Sequence, residues 1–222
     1  MIEINDILLV FAVLGMWISI TTEVGQIIQK MKGGISKQVA TGYSSAMKLM
    51  VVNRFGTISF LLATGLLIDQ GATPNEVIKI ALIAVLGVVF ITSGLNYYVY
   101  RLSLNSVFME LDSQIESSRG SKLVFATAYF ATILNISGLV VPLAFASQYP
   151  EYRLTLANTG FLFNTAFTLI NVFVIEAVLA GKIDNEDPGN LVLYVSKILR
   201  WRLFGFITSF ILLYAVASFE VF

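Results

Sequence analysis

The chain contains no cysteine and no histidine, only four prolines, and charged residues make up just 13% of its 222 positions. Without cysteine there are no disulfides and no thiol chemistry. With histidine gone as well, the ordinary ligand sets for zinc, haem and iron–sulfur clusters are excluded, and no cofactor or metal is expected. Lysine plus arginine number 14 and aspartate plus glutamate 14, so there is no basic surplus to bind nucleic acid. No P-loop and no G-x-G-x-x-G occurs, so nothing in the chain points to a bound nucleotide. The N-terminus lacks the basic n-region of a cleaved signal peptide and reads as a first span.

Apolar residues are what is plentiful, at 57%. A soluble domain of this length carries roughly twice the charge, whereas in lipid this composition is what the solvent demands. The expectation is an all-α polytopic membrane protein forming one domain, with about six transmembrane helices at residues 7–28, 47–68, 77–99, 123–146, 154–180 and 203–217. Turn-rich breaks separate them, such as Asp69-Gln70-Gly71-Ala72-Thr73-Pro74 and Asp184-Asn185-Glu186-Asp187-Pro188-Gly189. Residues Leu104, Val107, Phe108 and Leu111 fall at the helical spacing of a short surface helix in the 3–4 connection, and Leu191 to Leu199 reads as an amphipathic stretch before the last span. Three spans per half are compatible with a 3+3 inverted repeat, for which Asn53 with Thr57 against Asn164 with Thr168 is the hint.

Lysine and arginine concentrate in connections 1–2, 3–4 and 5–6, while the other side holds only Lys79 and Arg153. The positive-inside rule then places those three connections in the cytoplasm and both termini outside.

Polar groups at membrane depth are the informative ones, because each costs free energy where it stands. Glu23 and Arg54 fall at similar depth on spans 1 and 2, close enough in register to form an ion pair. Glu176 and Asn96 lie at comparable depth. Asn135 and Asn164 fall near the midplane, and Asn164, Thr168 and Asn171 share one face of span 5. Two readings stand side by side. In one, Glu23–Arg54 is a buried structural pair and the asparagines are interhelical glue. In the other, Arg54 is an anion contact in a polar cavity, supported by Asn53 and Asn96, with Glu23 and Glu176 tuning it or carrying a proton. Trp17, inside span 1, reads as packing, and Gly56, Gly65, Gly87, Gly94 and Gly138 as close helix contacts.

These residues, together with Thr41-Gly42-Tyr43-Ser44, the run Pro150-Glu151-Tyr152-Arg153-Leu154-Thr155-Leu156-Ala157-Asn158 and the region Val174-Ile175-Glu176 through Asp184, carry a resemblance. The chain resembles the Amj family of bacterial lipid II flippases along most of its length. It departs from the family in being shorter, and in having Glu176-Ala177 where an aspartate and proline are usual. The resemblance implies a non-enzymatic, multi-pass protein of the bacterial cytoplasmic membrane. It would move undecaprenyl-pyrophosphate-linked peptidoglycan precursor to the outer leaflet, in contact with membrane lipids; six helices make a small cage, so a homodimer would help if the groove lies between subunits. It gives Arg54 and Glu23 the strongest claim to headgroup contact, then Arg153 and Asn164, then Asp69. A flippase for another polyprenyl-linked glycan, a small-solute transporter or channel, and a non-transporting scaffold are the alternatives. A lateral opening to lipid beside Arg54 distinguishes the flippases from a closed pore.

Overall fold

The structure, a computed structural model, describes residues 4–103, 119–185 and 188–218. They form long helices, with short turns at residues 36–38 and 70–73. α1 spans Ile4–Ile35, α2 Val39–Asp69, α3 Pro74–Ser103 and α4 Arg119–Gln148. A 3₁₀ turn, Pro150–Tyr152, leads into α5, Arg153–Ile170, which passes through a π-helical turn, Asn171–Glu176, into α6, Ala177–Asn185. The last helix, α7, covers Pro188–Ser218. Six stretches are long and apolar enough to cross a membrane, with Pro150–Asn185 acting as one. The protein is an all-α, multi-pass membrane protein, as composition dictates.

Local chemistry sets the breaks. Gly71 takes a φ of +95°, a left-handed conformation that costs glycine little. Thr73 and Glu76 then cap α3 reciprocally: the Thr73 N–H donates to Glu76 Oε2 at 2.7 Å, and the Glu76 N–H donates to Thr73 Oγ1 at 3.3 Å. Pro74 occupies the first turn, where its missing N–H leaves no hydrogen bond unmade.

The helices run further than hydropathy alone suggests. α1 continues seven residues beyond Ile28, and α7 begins 15 residues before Leu203. The Leu191–Leu199 stretch, expected to be amphipathic, is instead buried along its whole length. It is the first third of α7, with Leu191, Tyr194, Val195, Ile198 and Leu199 all buried against the rest of the bundle. The expected surface helix around Leu104 to Leu111 lies outside the described residues.

α1 packs chiefly on α2, α4 on α5, and α3 on α7, and α1–α3 and α4–α7 contacts link these pairs into a series that is open between α2 and α5. Exchanging the halves maps α1–α2 onto α4–α5 and α1–α3 onto α4–α7. The pattern of neighbours thus has the symmetry expected of two three-span units. Close backbone approach makes the α1–α2 seam. A Cβ at Gly15 would lie 2.6 Å from Phe60 N, and one at Gly56 would lie 2.6 Å from Ser19 N, so any larger residue would push the helices apart. Gly87, beneath the Trp17 ring, and Gly138, beneath Phe163, are close contacts too, made with side chains rather than backbone. Gly65 and Gly94 face open space, contrary to expectation. Trp17 is indeed packing: its indole N–H donates to Ala84 O at 2.8 Å.

Candidate functional site: a polar cleft between α2 and α5

Each of α2 and α5 leans on one neighbour, α1 and α4 respectively, and the two hardly touch each other. Between them lies a cleft of about 70 Å³. Its floor is Ser19, Glu23 and Gln26 of α1 with Asn135 of α4. Asn53, Arg54 and Thr57 of α2 form one wall. Asn164 and Thr168 of α5 form the other, continued by Asn171 and Glu176 of the π turn. The two Asn/Thr pairs that hint at a repeat thus face one another across a single space. At 1.5 Å per residue, Glu23 and Asn171 sit roughly 20 Å from the end of the bundle where α1 turns into α2. That basic end carries most of the lysines and arginines.

Arg54 is exposed in the cleft and makes no ion pair or hydrogen bond among the described residues. The expected Glu23–Arg54 pair does not form. The reason is angular. Asn53 and Gly56 are the α2 residues turned to α1, where the Asn53 amide donates to Ser19 O at 2.6 Å. Arg54, about 100° further round, points away from that seam. Asn53 is therefore glue rather than a support for the arginine. Ser19 Oγ and Thr57 Oγ1, 2.8 Å apart, add to the same seam.

Glu23 pairs instead with Arg202 of α7. Nη1 of Arg202 donates to Glu23 Oε1, the Asn171 amide donates to the same oxygen at 3.0 Å, and Nη2 of Arg202 donates to Asn171 Oδ1 at 2.5 Å. Arg202 is 2% exposed, a depth at which a lone guanidinium would be costly. By hydropathy it belongs with the loop charges, since the last apolar run starts just after it. The signal that could have found it is helical spacing. Arg202 lies three residues before Gly205 and seven before Ser209, two small residues of the kind that face neighbouring helices, and all three are buried.

A second ion pair stands nearer the basic end. Lys30 Nζ lies 2.7 Å from Glu176 and 5.3 Å from the Tyr43 ring centroid. At the opposite end, Arg153 at the start of α5 pairs with Asp69 at the end of α2. Among the described residues this exposed pair is the polar tie across the α2–α5 gap. Asn96 falls outside the site altogether. It accepts from Ser196 Oγ at 3.2 Å on the far, α3–α7 side of the bundle, because depth along a helix does not say which face a residue occupies. Asn135 is buried with its side-chain oxygen unpartnered among the described residues.

The cleft and the small cavity behind it hold three cations, Arg54, Lys30 and Arg202, against two carboxylates, Glu23 and Glu176. The carboxylates are already paired, so the free charge is that of Arg54. Such a site attracts an anion. No family model matches the chain, and neither a curated protein nor a solved structure matches it. Among the described residues no cluster could hold a metal ion.

Proposed function

We propose that this protein is a flippase for a polyprenyl-pyrophosphate-linked headgroup, with lipid II, the peptidoglycan precursor, as the first candidate. One observation carries the reading: the unpaired Arg54 lines a polar cleft whose two walls, α2 and α5, hardly touch each other, and in this reading the seam between them opens sideways to lipid. A headgroup bearing a pyrophosphate needs a cationic, wet path, while its apolar tail is best left in the bilayer. A gap between two helices that rest on separate partners meets both needs. The outward residues beside it, Phe55 on α2 and Phe173 in the π turn, are exposed and apolar, which suits a lipid tail.

In this reading the protein sits in the bacterial cytoplasmic membrane with the basic end in the cytoplasm, and both termini lie outside. It performs no bond-breaking chemistry. The headgroup enters from the basic end, meets Arg54, and passes along Asn164, Thr168 and Asn135. It leaves past Asp69 and Arg153, whose ion pair holds the outer end shut. The cleft has room for only about two waters, so transport requires α2 and α5 to part by alternating access, one end at a time. A closed pore for small ions would instead have its polar groups ringed by helices, without the seam to lipid.

The direct test uses proteoliposomes loaded with labelled lipid II and an impermeant enzyme, added outside, that cleaves the exposed headgroup. The intact protein is expected to expose the inner pool, and Arg54→Ala to leave it protected. If a folded, intact protein exposes none of the inner pool, lipid II is not its substrate.

A further inference from the structure

Arg202 has more hydrogen-bonding capacity than its surroundings use. It is almost wholly buried, Nη1 and Nη2 make one hydrogen bond each, and Nε is buried with no partner among the described residues. A guanidinium retained for packing alone is expected to have its donors met, and leftover donors at depth point to water or a ligand. Beside it lies a cavity of about 20 Å³ lined by Glu23, Lys30, Asn171, Glu176 and Arg202, room for a single water. Glu23 and Asn171 line this cavity and the Arg54 cleft alike. They form the partition between the two arginines. Asn171 also opens the π turn, the kind of helical irregularity that recurs at functional sites.

We propose that Arg202 is a second phosphate contact, masked by Glu23, and that Glu23 takes up a proton as an arriving pyrophosphate displaces it. The inference rests on the headgroup reading above. The charged groups facing Glu23 are Arg202 from α7, Arg54 from α2, Glu176 from the π turn and Lys30 from its own helix, while α4 contributes the neutral Asn135. With only Arg54 free, the site is one charge positive. A pyrophosphate bearing about two negative charges leaves it negative, and one proton restores neutrality in a medium where unbalanced charge is costly. Glu23 is the group to accept that proton. Its partner passes to the phosphate, whereas Glu176 keeps Lys30. The proton enters from the aqueous end of the cleft and converts the Glu23 carboxylate to the acid, with no other bond made or broken. Ionised Glu23 competes with phosphate for Arg202, so headgroup affinity rises as pH falls, by up to about tenfold per pH unit for one linked proton.

Calorimetric titration of the full-length protein in detergent, with farnesyl pyrophosphate as the probe, tests this directly. Repeating it in buffers of different ionisation heat counts the protons bound. The probe's own protonation is common to all variants and cancels in the comparison. Wild type is expected to take up about one proton more than Glu23→Gln, which binds more tightly at pH 8 and keeps only the pH dependence that the probe itself brings. Glutamine still accepts from Arg202, so this variant keeps its fold. Arg202→Lys is expected to bind the probe at least tenfold more weakly while melting near the wild-type temperature. Equal proton counts in wild type and Glu23→Gln, or wild-type affinity in Arg202→Lys, would overturn the proposal while leaving Arg54 as a headgroup contact. If the probe binds to none of the three proteins, the headgroup reading falls and this inference falls with it.

Discussion

The two sides of α2 are built on opposite principles. Toward α1 it is glycine against glycine, with Gly56 beside Gly15 and Gly42 beside Gly33, so close that backbone touches backbone. Toward α5 it presents Arg54 and a gap, tied at one end by the exposed Asp69–Arg153 pair. Packing by small residues gains dispersion along the whole seam and tolerates no intrusion. An exposed ion pair contributes little and is easily exchanged. The first seam is suited to holding a helix in place, and the second to letting it move.

Breaking the comparison should therefore cost very different amounts on the two sides. Gly56→Leu forces a side chain into the Ser19 backbone and is expected to destabilise the fold by about 3 kcal/mol or more, read as lost thermal stability in detergent. Gly65→Leu, on the same helix but facing open space, should be nearly silent in that assay. Glu23→Ala strands the buried Arg202 and should cost about 3 kcal/mol, with Glu23→Gln much milder. Arg54→Ala is expected to change stability by less than about 0.5 kcal/mol while abolishing exposure of lipid II. That separation marks a residue kept for binding rather than structure. Asp69→Asn should also cost little stability, under about 1 kcal/mol, and should show itself as faster transport through a loosened outer end.

How much of this can be read from the sequence depends on what each residue's signal encodes. Six apolar runs divided by turn chemistry make the span count and the all-α class legible. Location within the spans is legible too: Glu23, Arg54 and Glu176 at one depth and Asn135, Asn164, Thr168 and Asn171 on the midplane side of them or on the same face of span 5 all line one cleft. Facing direction is not. Asn53 and Arg54 are adjacent in sequence but about 100° apart around the helix, so one binds α1 and the other faces the gap. Asn96 shares the expected depth and lies on the other side of the bundle. Arg202 escapes because a hydropathy average treats a charge as the edge of a span, although a buried partner lets the helix carry that charge far inside. Arg153 and Asp69 are separately plausible as site residues. Their pairing needs the α2–α5 geometry, since 84 residues separate them.

The central claim is that the α2–α5 seam opens for transport, and a reversible tether across it tests this most directly. The chain has no native cysteine, so Asp69→Cys with Arg153→Cys can be bridged by a cleavable bifunctional thiol reagent and assayed for lipid II exposure in proteoliposomes. The account predicts that the unbridged double variant transports, that bridging stops it, and that cleaving the bridge restores it. Undiminished transport with the bridge verified in place would contradict it.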